Sequence, residues 1–251
     1  MTFKVNDVNI NYVLYGNSNG DVLVFLHGWG QNIEMMRSLA DNFKNDYNVL
    51  IVDLPGFGLS SEPTYSWSVF DYADALNELV KHLKLKNISL IGHSFGGKVS
   101  LIYASKYEVK KLVVFASPFK KNVQKLSLKT KILKLIMKVP GLKRIGNAMK
   151  NHIGSTDYKN ASDMMRNVLV STVNTDIQEN VKLINCPTLI IWGSNDLVVG
   201  VENAYELEKL IKDSAVIKIK GAGHYAYLEH LDECVKILKS FFGGNKWFTI
   251  L

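Results

Sequence analysis

Ile88-Ser89-Leu90-Ile91-Gly92-His93-Ser94-Phe95-Gly96-Gly97-Lys98-Val99-Ser100-Leu101-Ile102-Tyr103-Ala104 is the stretch that decides the fold. Its first four residues read as a short buried strand and its last eight suit a helix, so Gly92-His93-Ser94-Phe95-Gly96 falls on the turn between them. A turn this sharp strains the central backbone and presses strand against helix, so only small residues fit two positions on either side. Gly92 and Gly96 supply those positions, which makes Ser94 a candidate nucleophile. Glycine and serine are common turn residues, and the pentapeptide alone could be a plain turn.

A serine nucleophile needs a base and a group that orients the base. Of the six histidines, His93 is set aside, because neighbouring side chains in an extended segment point to opposite sides. His224 follows the strand-like run Ala215-Val216-Ile217-Lys218-Ile219-Lys220 and the turn Gly221-Ala222-Gly223. Asp196 follows Thr188-Leu189-Ile190-Ile191-Trp192 through Gly193-Ser194-Asn195. Singly, Asp196 could cap a turn and His224 could be a structural histidine. Together with Ser94 they stand at the carboxyl ends of three strands, where open α/β sheets gather their sites. The chain order Ser, Asp, His is that of one hydrolase fold.

The rest of the chain repeats this plan. Period-two segments around Asn6-Asp7, within residues 2–15, predict an antiparallel hairpin at a sheet edge. Apolar runs at 22–26, 49–53, 88–91, 112–116, 188–192 and 215–219 predict strands covered on both faces. Helical patterns near 69–83, 96–106, 202–212 and 232–242 lie between or after them, which predicts a mostly parallel, doubly wound α/β sheet.

With 251 residues the chain can bury a large core, and 47% apolar against 21% charged residues excludes disordered and collagen-like classes. Cys186 and Cys234 offer neither a disulfide framework nor metal spacing and are expected to pack as small apolar residues in a reducing cytoplasm. The N-terminus lacks the apolar core of a secretory signal, no run approaches the roughly 18 apolar residues of a membrane span, and no lipidation motif occurs.

These motifs resemble the α/β-hydrolase family, which includes small esterases, thioesterases, carbon–carbon bond hydrolases and cofactor-free haloperoxidases. The likeness runs over nearly the whole chain. It rests on His27-Gly28-Trp29-Gly30, on Asp53-Leu54-Pro55-Gly56-Phe57-Gly58-Leu59-Ser60, on the Ser94 turn, on Gly193-Ser194-Asn195-Asp196 and on Gly223-His224. Some relatives carry the acid after the strand before the cap, but here that strand ends Phe115-Ala116-Ser117-Pro118, which favours Asp196. The resemblance implies an α/β-hydrolase core over residues 1–118 and 185–251, with a helical cap inserted at 119–184 after the sixth strand. That interval holds the helix-like Leu126-Ser127-Leu128-Lys129-Thr130-Lys131-Ile132-Leu133-Lys134-Leu135-Ile136-Met137.

An oxyanion hole is required by the chemistry, since losing one donor in such sites costs about 2.7–4 kcal/mol. One donor is expected to be the backbone N–H of Phe95, and the resemblance assigns the second to that of Trp29. Trp29, Phe119, Val199 and Tyr225 are the candidate pocket residues. The implied reaction is cleavage of a carboxylic ester or thioester through an acyl-enzyme, with no metal and no organic cofactor. Ser94 argues against epoxide hydrolases and haloalkane dehalogenases, which use an aspartate nucleophile. A carbon–carbon bond hydrolase stays open on Gly223-His224-Tyr225-Ala226-Tyr227-Leu228-Glu229-His230, although its members commonly have asparagine at the place of His93. A haloperoxidase or perhydrolase, and a small-molecule receptor retaining the triad, stay open too.

Charge is uneven. Lys120 to Lys150 holds ten Lys or Arg and no Asp or Glu, whereas the whole chain is +7, which leaves the remainder at net −3. A solvated lysine face over an apolar stripe explains this most simply, and weak contact with a membrane surface is the alternative. Without a recognised motif beside it, nucleic-acid binding is not expected.

Overall fold

The computed structural model describes residues 1–121 and 156–243. Eight strands form one sheet: β1 Thr2–Val5, β2 Val8–Gly16, β3 Val22–Leu26, β4 Asn48–Val52, β5 Ile88–His93, β6 Leu112–Phe115, β7 Thr188–Gly193 and β8 Ser214–Ile219. Their order is β1-β2-β4-β3-β5-β6-β7-β8. The hairpin β1–β2 turns at Asn6, whose φ of 50° suits a short polar side chain, and β2 runs antiparallel to β4. The pairs from β4 through β8 are parallel.

Alternation along each central strand divides the core in two. Val24, Leu26, Leu90, Val114 and Trp192 face one side, where α2 (Val69–His82) and α3 (Phe95–Lys106) pack through Tyr72, Leu76, Val99 and Ile102. Leu23, Phe25, Ile91, Phe115 and Ile191 face the other, against α1 (Ile33–Ala40) and α9 (Leu231–Phe242). With both faces covered, the central strands are apolar at nearly every position, which is why they stand out in the sequence. Strand β8, expected to be covered on both faces as well, lies at the sheet edge and is mostly half-buried, with Lys218 exposed.

Five further helices complete the described part: α4 Thr156–Asn160, α5 Asp163–Asn174, α6 Gln178–Val181, α7 Glu202–Glu208 and α8 Ala226–Glu229. Helix α7 covers Glu202–Glu208 rather than 202–212; beyond it the Leu210 N–H donates to the Leu207 carbonyl in a tighter i→i−3 turn. Helix α1 escaped the sequence reading. Its eight residues are marked only by the Asn32 cap, and its position is fixed by Asp53, whose buried carboxylate accepts from Ile33 N (2.7 Å), Asn11 Nδ2 (2.8 Å) and Leu59 N (2.9 Å).

Helices α4 to α6 lie between β6 and β7, in the interval expected to hold a cap; Leu126–Met137 and most of the basic stretch lie outside the described residues. Of that stretch, Lys120 is described and pairs with Glu206. One buried cation ties α5 to the core. Lys98, one turn into α3, is 1% exposed and donates its Nζ to the carbonyls of Thr172 (2.8 Å) and Thr175 (2.6 Å) at the end of α5. A cation at a helix C-terminus complements the backbone dipole. Burial still pushes the Lys98 pKa down to about 8, against the pull of Asp176.

Candidate active site

Strand β3 sits between β4 on one side and β5 on the other, so the chain leaves it in one direction and later returns on the opposite flank. Such a switch point opens a crevice beyond the carboxyl ends of the two strands. Leu26 pairs with Gly92, which brings the His27–Gly30 loop beside the turn that carries Ser94.

Ser94 has φ 51° and ψ −111°, a strained conformation for any residue with a side chain. Its N–H donates to the Phe115 carbonyl at 2.8 Å, anchoring the turn to β6. Packing dictates both glycines. A Cβ on Gly92 would lie 2.5 Å from Ser100 Oγ and 2.6 Å from the Gly96 carbonyl, and one on Gly96 would press into the carbonyls of Leu26 and His27. Ser94 itself remains partly exposed.

Across the crevice, His224 Nδ1 stands 2.8 Å from Asp196 Oδ2. The other Asp196 oxygen accepts from the backbone of Val198 (2.8 Å) and Val199 (3.0 Å). Burial alone would raise the Asp196 pKa, but the hydrogen bonds from His224 and from these two amides outweigh it and hold the carboxyl below its ordinary range. An ionised carboxylate accepts only, so Nδ1 carries the proton and Nε2 is left as the acceptor.

The Trp29 ring packs edge-on against Phe57 (4.8 Å) and Phe95 (5.3 Å), and Tyr72 adds to the wall at 5.0 Å from Phe95. Phe95 is the first residue of α3, so its N–H belongs to the set that a helix start leaves without an internal partner. Behind Trp29, His27 is fully buried; Nδ1 donates to the Gly28 carbonyl (2.7 Å) and Nε2 accepts from Leu54 N (3.0 Å). Burial pushes its pKa down to about 4, with Gly28 and Asp53 pulling the other way. Of the other pocket candidates, Phe119 is wholly buried in the core, Val199 is half-buried, and Tyr225 is exposed beside His224 (ring centroids 5.4 Å).

Three neighbours of His224 were not connected with it in the sequence. The His93 ring lies 4.8 Å from that of His224, Glu229 binds the backbone on either side of it, and Asp157 of α4 is close enough for their charges to interact. Burial raises the Asp157 pKa and the His224 charge partly offsets this. The only sequence signal was a carboxylate five residues after His224. Among the described residues, no group of three or more His, Cys, Asp or Glu could hold a metal ion.

A family model described as the alpha/beta hydrolase fold matches residues 21–144 and 136–231. The chain belongs to the α/β-hydrolase family. This α/β-hydrolase is 27% identical to Lipase 3 of Moraxella sp. (strain TA144) over 94% of its length and 81% of that lipase. It is 28% identical to Lipase 1 of Psychrobacter immobilis, covering 92% and 79%. A bromoperoxidase structure from Bacillus anthracis superposes with a TM-score of 0.75 at 24% identity, over 94% of this chain and 96% of that one, a likeness of fold. The α/β-hydrolase described here is therefore an enzyme, a hydrolase acting on small molecules.

Proposed function

We propose that the enzyme cleaves a carboxylic ester or thioester through an acyl-enzyme on Ser94. The observation that carries this reading is the 2.8 Å bond from His224 Nδ1 to Asp196, made beyond the carboxyl ends of β7 and β8, the same end of the parallel strands at which β5 leads into the strained Ser94. Ser94 Oγ attacks the acyl carbon while His224 Nε2 takes the hydroxyl proton, and Asp196 stabilises the imidazolium that forms. The backbone N–H groups of Trp29 and Phe95 meet the oxyanion. The proton then passes to the leaving oxygen or sulfur, and water activated by His224 releases the acid.

Residues 119–184 act as the cap in this reading, with Trp29, Val199 and Tyr225 shaping the pocket; Phe119, wholly buried in the core, presents no surface to it. The two lipase relatives favour an oxygen ester over a thioester. Two free, buried cysteines suit a reducing compartment, so we place the enzyme in the cytoplasm.

The test is turnover of aryl esters, acyl thioesters and a dienone-type carbon–carbon substrate by the purified protein, together with labelling by a fluorophosphonate. Ester turnover and labelling at Ser94 are expected. Turnover confined to the dienone would move the reaction to carbon–carbon cleavage, and labelling without turnover of any substrate would favour a receptor.

A further inference from the structure

His93 ends β5 immediately before Ser94, and its ring lies 4.8 Å from that of His224, in the loop after β8. Its Nε2 lies 3.0 Å from the backbone carbonyl of His224. A carbonyl only accepts, so Nε2 carries the proton and Nδ1 is bare. That Nδ1 is buried without a hydrogen-bond partner among the described residues, facing Gly28, where a Cβ would come within 2.8 Å of it. An unpaired buried acceptor is costly, and a purely apolar ring would avoid the cost. What the imidazole adds at this place is one donor, spent on the residue expected to act as the base.

The same backbone is gripped from the other side. Glu229, at the end of α8, accepts from the Gly223 amide with Oε2 (2.7 Å) and from the Tyr225 amide with Oε1 (3.2 Å), the residues on either side of His224. Three consecutive residues thus each spend one backbone group on a side chain from outside the loop. Burial keeps His93 neutral, with a pKa pushed down to about 3, the nearby His224 adding to the effect, so it brings no second positive charge beside the imidazole.

We propose that His93 and Glu229 are positioning residues that clamp the His224 backbone and so aim its Nε2 at the nucleophile. The inference rests on the reading of Ser94 and His224 as nucleophile and base.

The rate at which a fluorophosphonate labels Ser94 tests it, because labelling needs the base but no particular substrate. His93→Phe keeps the ring and removes the donor; His93→Gln returns an N–H at similar reach. His93→Phe is expected to label about 10- to 100-fold more slowly than wild type, the order of loss that small misplacements produce, and His93→Gln to recover most of it. Glu229→Ala, a change at an exposed side chain, is expected to slow labelling with little change in thermal midpoint. A folded His93→Phe that labels as fast as wild type overturns the clamp, as does His93→Gln performing no better than Phe. Should His93→Phe fail to fold, Glu229→Ala decides by the same comparison. Wild type left unlabelled at Ser94 would fell the nucleophile reading and the clamp with it, whereas labelled wild type with equally fast variants fells the clamp alone.

Discussion

The two halves of the site are held by different forces. Around β3 and β5, the Ser94 turn is held mainly by contact: glycine backbones packed against carbonyls around a strained φ, with the Ser94 N–H bond to Phe115 as the anchor. Around β7 and β8, Asp196 and His224 are fixed by hydrogen bonds: Val198 and Val199 donate to Asp196, His93 donates to the His224 carbonyl, and Glu229 accepts from the amides of Gly223 and Tyr225. Close packing tolerates almost no substitution, since an added methyl has nowhere to go. Hydrogen bonds can be removed one at a time. The difference teaches that the nucleophile should respond to mutation as all or nothing and the acid–base pair by degrees.

The largest effect is expected at the nucleophile. Ser94→Ala should lower kcat on the best substrate by about 10⁶-fold, the scale of the subtilisin serine, and abolish fluorophosphonate labelling. Activity preserved in that variant, with labelling elsewhere, would remove Ser94 from the mechanism.

A smaller loss is expected across the crevice. Asp196→Asn should cost about 10⁴-fold in kcat, as in serine proteases whose triad acid becomes an amide, because the imidazole is left in the wrong tautomer. Near wild-type turnover would mean that another acid orients His224, and Asp157, whose charge interacts with it, would be the next residue to change.

Acid should separate the halves by stability. His27 and His93 are buried neutral, with pKa values pushed down to about 4 and about 3. Each binds its proton more readily in the unfolded chain, near pH 6.5, so stability falls as pH drops below about 6.5, by up to about 1.4 kcal/mol per pH unit for each histidine. Asp196, held below the carboxylate range, adds its loss at lower pH. Urea titrations from pH 7 to 4 check the slope. His93→Gln should make it shallower, and an unchanged slope would mean that His93 is not neutral in the fold.

The smallest effect is expected outside both halves. Changing Lys129, Lys131, Lys134 and Lys138 together to glutamine should leave turnover of a neutral short-chain ester almost unchanged and insensitive to salt. A wild-type activity that falls with moderate salt, and a glutamine variant that no longer responds, would show that the basic stretch steers an anionic substrate or surface.

Much of the fold was legible because it is written locally. A strand covered on both faces must be apolar at successive positions, as in Leu189-Ile190-Ile191-Trp192, and a strand pressed on a helix must have glycine where Gly92 and Gly96 stand. Chain order, and the loops that follow the strands, pointed to Ser94, Asp196 and His224 as one group. Helix α1 was not legible, since one cap and eight residues make too short a pattern. The rule that set His93 aside as the base for Ser94 carried no information on what its ring meets instead, and that ring lies beside His224.

The sequence by itself therefore determined the α/β alternation, the elbow and the order of the three candidate residues, each a matter of spacing along a few neighbouring positions. Only the tertiary structure decided what surrounds them. His93 meets His224 from 131 residues away, and Lys98 meets Thr172 from 74 away. A histidine donor or a buried ammonium has no pattern of its own in the chain. Its partner is a backbone carbonyl, which every residue possesses, so nothing but the folded path of the chain selects which one it meets.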